Sequence, residues 1–261
     1  LGANGISGEG RALVNCYLRC YLAGACFNAR GYYSVGLSYA MDPGLRAIHR
    51  SPQALMEARG RYVNHFNTHL FWLPCLVGIF LTAERHVAAG HMPAKMIERL
   101  KDTAGYTLSG IGDSVFAGSL LIFWALSSIC LLLAGYRTLP LLVGAGFFVG
   151  LQFFRVYTFW AGHRRGLAFL EGLRRWDLIN WGQRIKLLNG LLLLCLWLLA
   201  WPRPLLWTDW IYMTLGMAFF ARFLQHRQVP REVVLVAFLL VMGALPWIAG
   251  GVKMLFERLT G

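Results

Sequence analysis

Acidic residues are scarce in this sequence: 12 aspartates and glutamates stand against 25 lysines and arginines, and charged residues make up only 14% of 261. So little charge cannot cover a water-soluble surface, and the 57% apolar content and mean hydropathy of +0.51 point to lipid as the solvent. Strand-type alternation is also missing. In lipid every backbone polar group must be satisfied internally, so runs of leucine without period-two patterning exclude a barrel and leave helices. The expected fold is therefore all-α, a polytopic helical membrane protein. The formal net charge of +13 comes without any aromatic-plus-basic recognition motif, so no nucleic-acid partner is expected. Attraction to anionic membrane lipid and the positive-inside signal account for it better.

Paired cysteines are absent as well. Cys16, Cys20, Cys26, Cys75, Cys130 and Cys195 show no CxxC spacing, which removes the usual zinc and thiol-exchange frameworks and leaves small buried hydrophobes. No phosphate-cradling glycine loop, nucleophile triad or pair of catalytic carboxylates is present, so no catalytic residue and no cofactor is expected. His65 and His69 have metal spacing but no evident third ligand. Leu1 stands where an initiator methionine would, as at a trimmed or incomplete start, and no signal peptide precedes the first motif.

Two regions are expected within one membrane domain, residues 1–114 and 115–261. In the first, Asn15 to Gly44 is glycine-rich and moderately apolar. Ser51 and Pro52 open an amphipathic helix carrying Leu55, Ala58, Tyr62 and Phe66. Leu70 to Ala83 is apolar but broken by Pro74, too short to cross ~30 Å upright, and reads as a re-entrant or interfacial hairpin. Pro93 opens a second amphipathic helix to about Asp102, with Lys95, Arg99 and Lys101 on its headgroup face. Spanning helices are expected at Val115 to Gly135, Leu139 to Phe154, Leu187 to Trp201, Leu205 to Phe223 and Val233 to Ile248. Seven basic residues against two acids between Arg155 and Lys186 mark a cytoplasmic loop, with Arg155 as an anchor; the C-terminus then falls outside. Trp197, Trp201, Trp207 and Trp210 read as an interfacial belt.

Two polar clusters interrupt this apolar background. Gly105 to Ser114, GYTLSGIGDS, sits directly before the first long span; its glycines, Gly110 and Gly112, suggest a hinge where the helix unwinds and exposes backbone groups to a ligand. Asp113 at membrane depth would cost about 2.5–3.5 kcal/mol without a partner. A surface N-cap is the plainer alternative for it. His65 to His69, HFNTH, gathers amide, hydroxyl and imidazole groups that suit sugar hydroxyls, or simply a polar interfacial turn.

Taken in order, Phe27-Asn28, Gly36, Met41, Pro43, Phe66-Asn67-Thr68-His69, Gly78, Glu84, Lys101 and Gly110-Ile111-Gly112-Asp113-Ser114 resemble the IID subunit of the mannose/fructose/sorbose family of phosphoenolpyruvate-dependent sugar phosphotransferase systems. The match weakens past Arg155 and Gly162, and beyond Gly166 only hydrophobicity is shared. The resemblance implies a bacterial inner-membrane, multi-pass permease subunit that pairs with a IIC subunit, in an oligomer of such pairs, to form the path for a mannose-type sugar. It implies that soluble IIA and IIB carry the phosphoryl group, so this chain is a transport subunit and its histidines are not phosphocarriers. It also implies substrate-binding roles for Asn28, Asn67, Thr68, His69, Asp113 and Ser114. Arg30, Tyr33, Thr107 and Leu121 depart from the family pattern by removing a glutamate, a glutamine, a proline and an arginine. These losses motivate an alternative, a regulatory or assembly protein of the same fold without sugar transport.

Overall fold

The computed structural model describes residues 3–200, with side chains from residue 8 onward, and scattered positions between 206 and 233. The chain divides into two units, Leu1–Ala200 and Trp201–Gly261. The spans expected at Leu205 to Phe223 and Val233 to Ile248, and with them the C-terminal topology, lie outside the continuously described residues. Among the described residues the architecture is helical throughout, with no β-strand beyond two isolated bridges. Nine α-helices are described: α1 (Ala3–Arg19), α2 (Ser34–Ile48), α3 (Pro52–Gly60), α4 (Leu73–Ala88), α5 (Ala94–Gly112), α6 (Ile122–Leu133), α7 (Leu139–Arg165), α8 (Leu167–Leu173) and α9 (Leu178–Ala200). A π-helical segment, Asp113–Leu121, joins α5 to α6 without a break.

The apolar run after the HFNTH cluster is the centre of the structure and not an interfacial hairpin. Pro74 sits in the first turn of α4, where its missing N–H costs nothing, so it starts one helix instead of breaking two. Nearly every side chain from Leu73 to Leu81 is fully buried. A helix that is apolar all round belongs inside a core, and at about 1.5 Å per residue α4 reaches only ~24 Å. Its partner is α7. Gly78 lies so close to the Phe159 carbonyl and the His163 amide that a side chain there would overlap them, and a Cβ on Gly162 would come within 2.7 Å of the Cys75 carbonyl. Two glycines, one on each helix, thus let the backbones touch, the small-residue mode of helix packing.

Three described stretches are long and apolar enough to cross a membrane: Ala94–Leu133, Leu139–Arg165 and Leu167–Ala200. Large apolar side chains such as Leu132, Leu141, Phe148, Phe153, Leu187 and Leu191 are exposed along them, as lipid-facing or partner-facing helices require. Three of the expected spans overlap these stretches, but the intervening basic segment is not a loop. Residues 155–186 are mostly helical: α7 continues to Arg165, Gly166 turns the chain with φ +54°, and α8 and α9 follow. Arg155 is therefore no terminal anchor. It is buried inside α7, with its guanidinium carbon 3.8 Å from the Tyr21 ring centroid.

The capped helix at Ser51 is present, with Ser51 Oγ accepting from Ala54 N at 3.2 Å, but it ends at Gly60. Tyr62 and Phe66 lie beyond it and are buried. The helix after Pro93 does not stop near Asp102, because Ile97, Lys101, Ala104, Gly105, Leu108, Ser109 and Gly112 continue one buried stripe at helical spacing. Lys101, expected among headgroups, is on that stripe. Its ammonium donates to the Arg61 carbonyl at 3.0 Å.

Beside it lies a buried ion cluster. Glu84, fully enclosed, accepts from Arg61 Nε at 3.0 Å and from Arg61 Nη2 at 2.5 Å; Tyr62 Oη donates to it at 2.9 Å and His49 Nε2 lies 2.9 Å away. Burial opposes charge on Arg61, but the bond to Glu84 and its negative charge outweigh this and raise the guanidinium pKa. Burial, reinforced by the same carboxylate, raises the Tyr62 phenol well above its ordinary value, which keeps it a donor. The cluster ties the ends of α2 and α3 to α4. Breaking one partner of a buried pair leaves an uncompensated charge, so Glu84→Ala is expected to cost about 3–5 kcal/mol. Glu9→Ala, which breaks the half-exposed pair to Arg85, should cost less than about 1 kcal/mol. Thermal unfolding of the detergent-solubilised chain measures both; equal effects would contradict the assignment of Glu84 as the structural centre.

Candidate functional site

Three segments distant in sequence converge at one corner. The Asn28 side chain closes a turn: Oδ1 accepts from Gly31 N at 2.7 Å and Arg30 N at 3.2 Å, and Nδ2 donates to the Tyr32 carbonyl at 3.4 Å. This holds Tyr32 at φ +54°. The turn docks on the HFNTH segment through its backbone, with Tyr33 N donating to the Phe66 carbonyl at 2.9 Å and Phe66 N to the Gly31 carbonyl at 3.3 Å. The HFNTH segment in turn lies on α5. Asn67 Nδ2 donates to Ser109 Oγ at 3.4 Å, and a Cβ on Gly105 would fall 2.8 Å from the Asn67 carbonyl.

Gly112 serves the same approach. A Cβ there would overlap Cβ and Cγ of His69 and lie 3.0 Å from Trp72 Cδ1. The GxG pair therefore does not unwind the helix, as its glycines suggested. Gly112 makes room for the His69 ring, and Gly110 faces open space on the exposed side. What departs from α-helix is the next turn, where Asp113–Leu121 widens into a π-helix, a form concentrated at functional sites. Two of its carbonyls are satisfied by side chains, one from within the segment and one from α9. Ser119 Oγ lies 2.8 Å from the Ser114 carbonyl and 3.1 Å from that of Gly182, and Asn189 Nδ2 donates to the Ser119 carbonyl at 3.0 Å.

Of the residues singled out from sequence, Asn67 and His69 meet the helix that leads into Asp113 and Ser114, while the Asn28 turn reaches the HFNTH segment at Phe66. Asn28 spends its amide on its own turn. Asn67 is half-buried and bonded to Ser109. Thr68 is buried, and its hydroxyl finds no hydrogen-bond partner among the described residues. The His69 ring stacks on Phe116 at 5.2 Å and Phe71 at 5.5 Å, with Nδ1 accepting from Phe71 N at 3.3 Å. Burial lowers the His69 pKa below the ordinary imidazole value, and the negative charge of Asp113 only partly offsets this. Neutral His69 is thus the form the site holds at pH 7. Asp113 is exposed at the first position of the π-segment and makes no side-chain hydrogen bond among the described residues. Ser114 Oγ accepts from Lys186 Nζ at 3.3 Å.

Lys186, like Lys101 and Arg155, is a cation that the sequence pattern misplaced. Grouped with a basic loop, it lies inside α9, in an apolar spanning stretch where a cation marks a functional position. The signal was available: Leu187 begins a leucine run directly after it. His65 joins a different set, with its ring against Tyr32 at 4.8 Å and Tyr106 at 5.9 Å, so the metal spacing it shares with His69 is not realised on a helix. Leu121 and His69 share a small cavity of about 170 Å³ whose other walls are apolar, among them Phe71, Phe116 and Trp124.

Ionisable and polar groups gathered on an apolar, membrane-length stretch define a helical membrane protein with a candidate polar ligand site. The family model described as "PTS system mannose/fructose/sorbose family IID component" matches residues 9–192, and the chain belongs to that family. It is 24% identical over 164 residues to the fructose permease IID component of Bacillus subtilis (strain 168), covering 62% of this chain and 58% of that relative's length. Among solved structures it is similar to one titled "Structure of membrane protein", with a TM-score of 0.72 and 20% identity over 92% of this chain and 97% of the other. A structure of the mannose transporter ManYZ in complex with microcin E492 is also similar, with a TM-score of 0.55 and 20% identity over 92% and 96% of the two chains.

If the glycines serve close approach, their substitutions separate cleanly. Gly112→Ala should force His69 and Trp72 to move and cost about 1–3 kcal/mol. Gly110→Ala should be neutral or stabilising by up to about 1 kcal/mol, since an exposed helical glycine gains from alanine. Thermal unfolding midpoints check this. A greater loss at Gly110 than at Gly112 would restore the hinge.

Proposed function

We propose that this IID component pairs with a IIC subunit to form the translocation path for a mannose-type hexose across the bacterial inner membrane, in an oligomer of such pairs. Soluble IIA and IIB supply the phosphoryl group, and this chain supplies recognition. The observation that carries the reading is the convergence of the Asn28 turn, the HFNTH segment and the start of the π-segment. Asn67 meets α5 at Gly105 and Ser109 and His69 meets it at Gly112, directly before Asp113 and Ser114. Groups of this kind make directional bonds to sugar hydroxyls, and an exposed carboxylate in an apolar stretch needs a polar ligand or a polar partner subunit. Lys186 joins them through Ser114. The names of the similar proteins, a fructose permease component and a mannose transporter, support D-fructose and D-mannose as the first sugars to try.

A second reading keeps the fold and the IIC contact but not transport. It is favoured by the apolar walls around Leu121 beside His69, where the family pattern has an arginine, and by Arg30, which is exposed on the Asn28 turn and offers a cation where the pattern has a carboxylate.

Asp113→Ala and Asn67→Ala decide between them. Hydrogen bonds to charged groups are worth about 1.5–3 kcal/mol, so Asp113→Ala should weaken sugar affinity about tenfold or more, and Asn67→Ala somewhat less. The amount of assembled IIC-containing complex should change little. Affinity for D-mannose and D-fructose, measured per assembled complex, is the assay. Wild-type affinity in both variants overturns the site, whereas an assembled wild-type complex that binds neither sugar favours the second reading.

A further inference from the structure

A second concave site lies at the opposite end of the α4–α7 pair. It is a cleft of about 350 Å³ between the last turn of α4 and the turn that links α7 to α8, and His86, His91, Arg164 and Arg165 line it. No acidic residue lines it, and none of these four side chains forms an ion pair or a side-chain hydrogen bond among the described residues. The His86 and His91 rings lie 6.2 Å apart. Apart from Thr82, whose hydroxyl donates to the His163 carbonyl, the rest of the wall is apolar, with Ile79 and Ala83 from α4 and Leu167 and Ala168 from α8.

A helix C-terminus attracts cations, which would explain a basic last turn on α4 or on α7 taken singly. It does not explain why the two α7 arginines open on the same cleft as His86 and His91, four nitrogen-bearing side chains with no acidic residue in the lining, an arrangement that suits an anion. Position identifies the anion. Arg164 and Arg165 end one membrane-length stretch and Leu167 begins the next, so the Gly166 turn lies at a membrane face. Exposed Trp160, one turn before Arg164, and exposed Tyr157 are the amphipathic rings that favour the headgroup level. Excess basic residues assign that face to the cytoplasmic side.

We propose that this cleft is a phosphate site that holds the headgroup of an anionic membrane phospholipid, with Arg164, Arg165, His86 and His91 around the phosphate and Leu167 and Ala168 against the start of the acyl chains. Basic pockets between helices at the cytoplasmic surface recognise such headgroups. The inference concerns a surface remote from the Asp113 corner and stands whether or not that corner binds sugar.

Native mass spectrometry of the full chain, exchanged into mixtures of phosphatidylglycerol and phosphatidylcholine, tests it. Wild type should retain phosphatidylglycerol preferentially, and Arg164→Gln with Arg165→Gln should lower that preference about tenfold to thirtyfold. Arg174→Gln with Arg175→Gln removes the same charge from exposed positions outside the cleft and should leave the preference intact. His86→Gln with His91→Gln provides an independent reading should the arginine pair be needed for folding, with a smaller loss expected. Equal retention of the two lipids, or equal loss in the two arginine pairs, overturns the site. Displacement of phosphatidylglycerol by millimolar inorganic phosphate or glycerol 3-phosphate assigns the cleft to a free phosphate and overturns the lipid.

Discussion

The contact on which the rest of the described structure depends is the backbone-to-backbone meeting of α4 and α7 at Gly78 and Gly162. Within a bilayer, association cannot draw on the expulsion of water from apolar surface, because lipid is as apolar as leucine; helices gain by approaching closely enough for dense dispersion contacts. Side chains at these two positions would overlap opposing carbonyls. With α4 fixed there, its two ends carry the two polar features of the fold. Glu84 near one end collects Arg61, Tyr62 and His49. The segment before its other end holds Asn67 and His69 against α5.

The same device recurs where chemistry is expected. Gly105 and Gly112 let an irregular segment lie directly on a helix, so that Asn67 and His69 reach α5 from outside while Asp113 and Ser114 follow directly after Gly112. Irregular backbone is tolerated in a membrane protein where protein covers it, and here α5 and the Asn28 turn provide the cover. The π-segment adds a widened turn whose carbonyls are answered by Ser119 and Asn189, which also fixes α9 and with it Lys186. The corner is thus assembled from four parts of the chain but rests on few side chains, which leaves Asp113 and the Thr68 hydroxyl uncommitted.

Helical class, membrane setting and family were legible in the sequence, because leucine runs and the ordered HFNTH and GxGD motifs survive without any three-dimensional information. The Ser51 cap was legible for the same local reason. What failed were inferences from single residue types about long-range contact. Pro74 read as a break because proline removes a donor, yet at the first turn that donor has no use. Gly112 read as a hinge because glycine is flexible, yet its role is to lack a Cβ beneath His69. Lys101 and Arg155 read as surface cations because charge is costly to bury; a carbonyl for one and the Tyr21 ring for the other lower that cost. The Glu84 cluster gave no signal beyond one carboxylate near the end of an apolar helix, because its partners come from other elements.

The central claim is that the joined corner faces a sugar, and the Thr68 hydroxyl tests it most directly. A buried hydroxyl without a partner costs about 1–3 kcal/mol, so a ligand that supplies the partner makes the group useful and otherwise it is only a liability. Thr68→Val keeps the shape and removes the hydroxyl. Affinity for D-mannose and D-fructose in assembled IIC-containing complex, measured beside thermal stability, separates the two cases. The account predicts a loss of about fivefold to tenfold in sugar affinity with stability held or raised. Unchanged sugar affinity together with a stability gain of about 1 kcal/mol would contradict it.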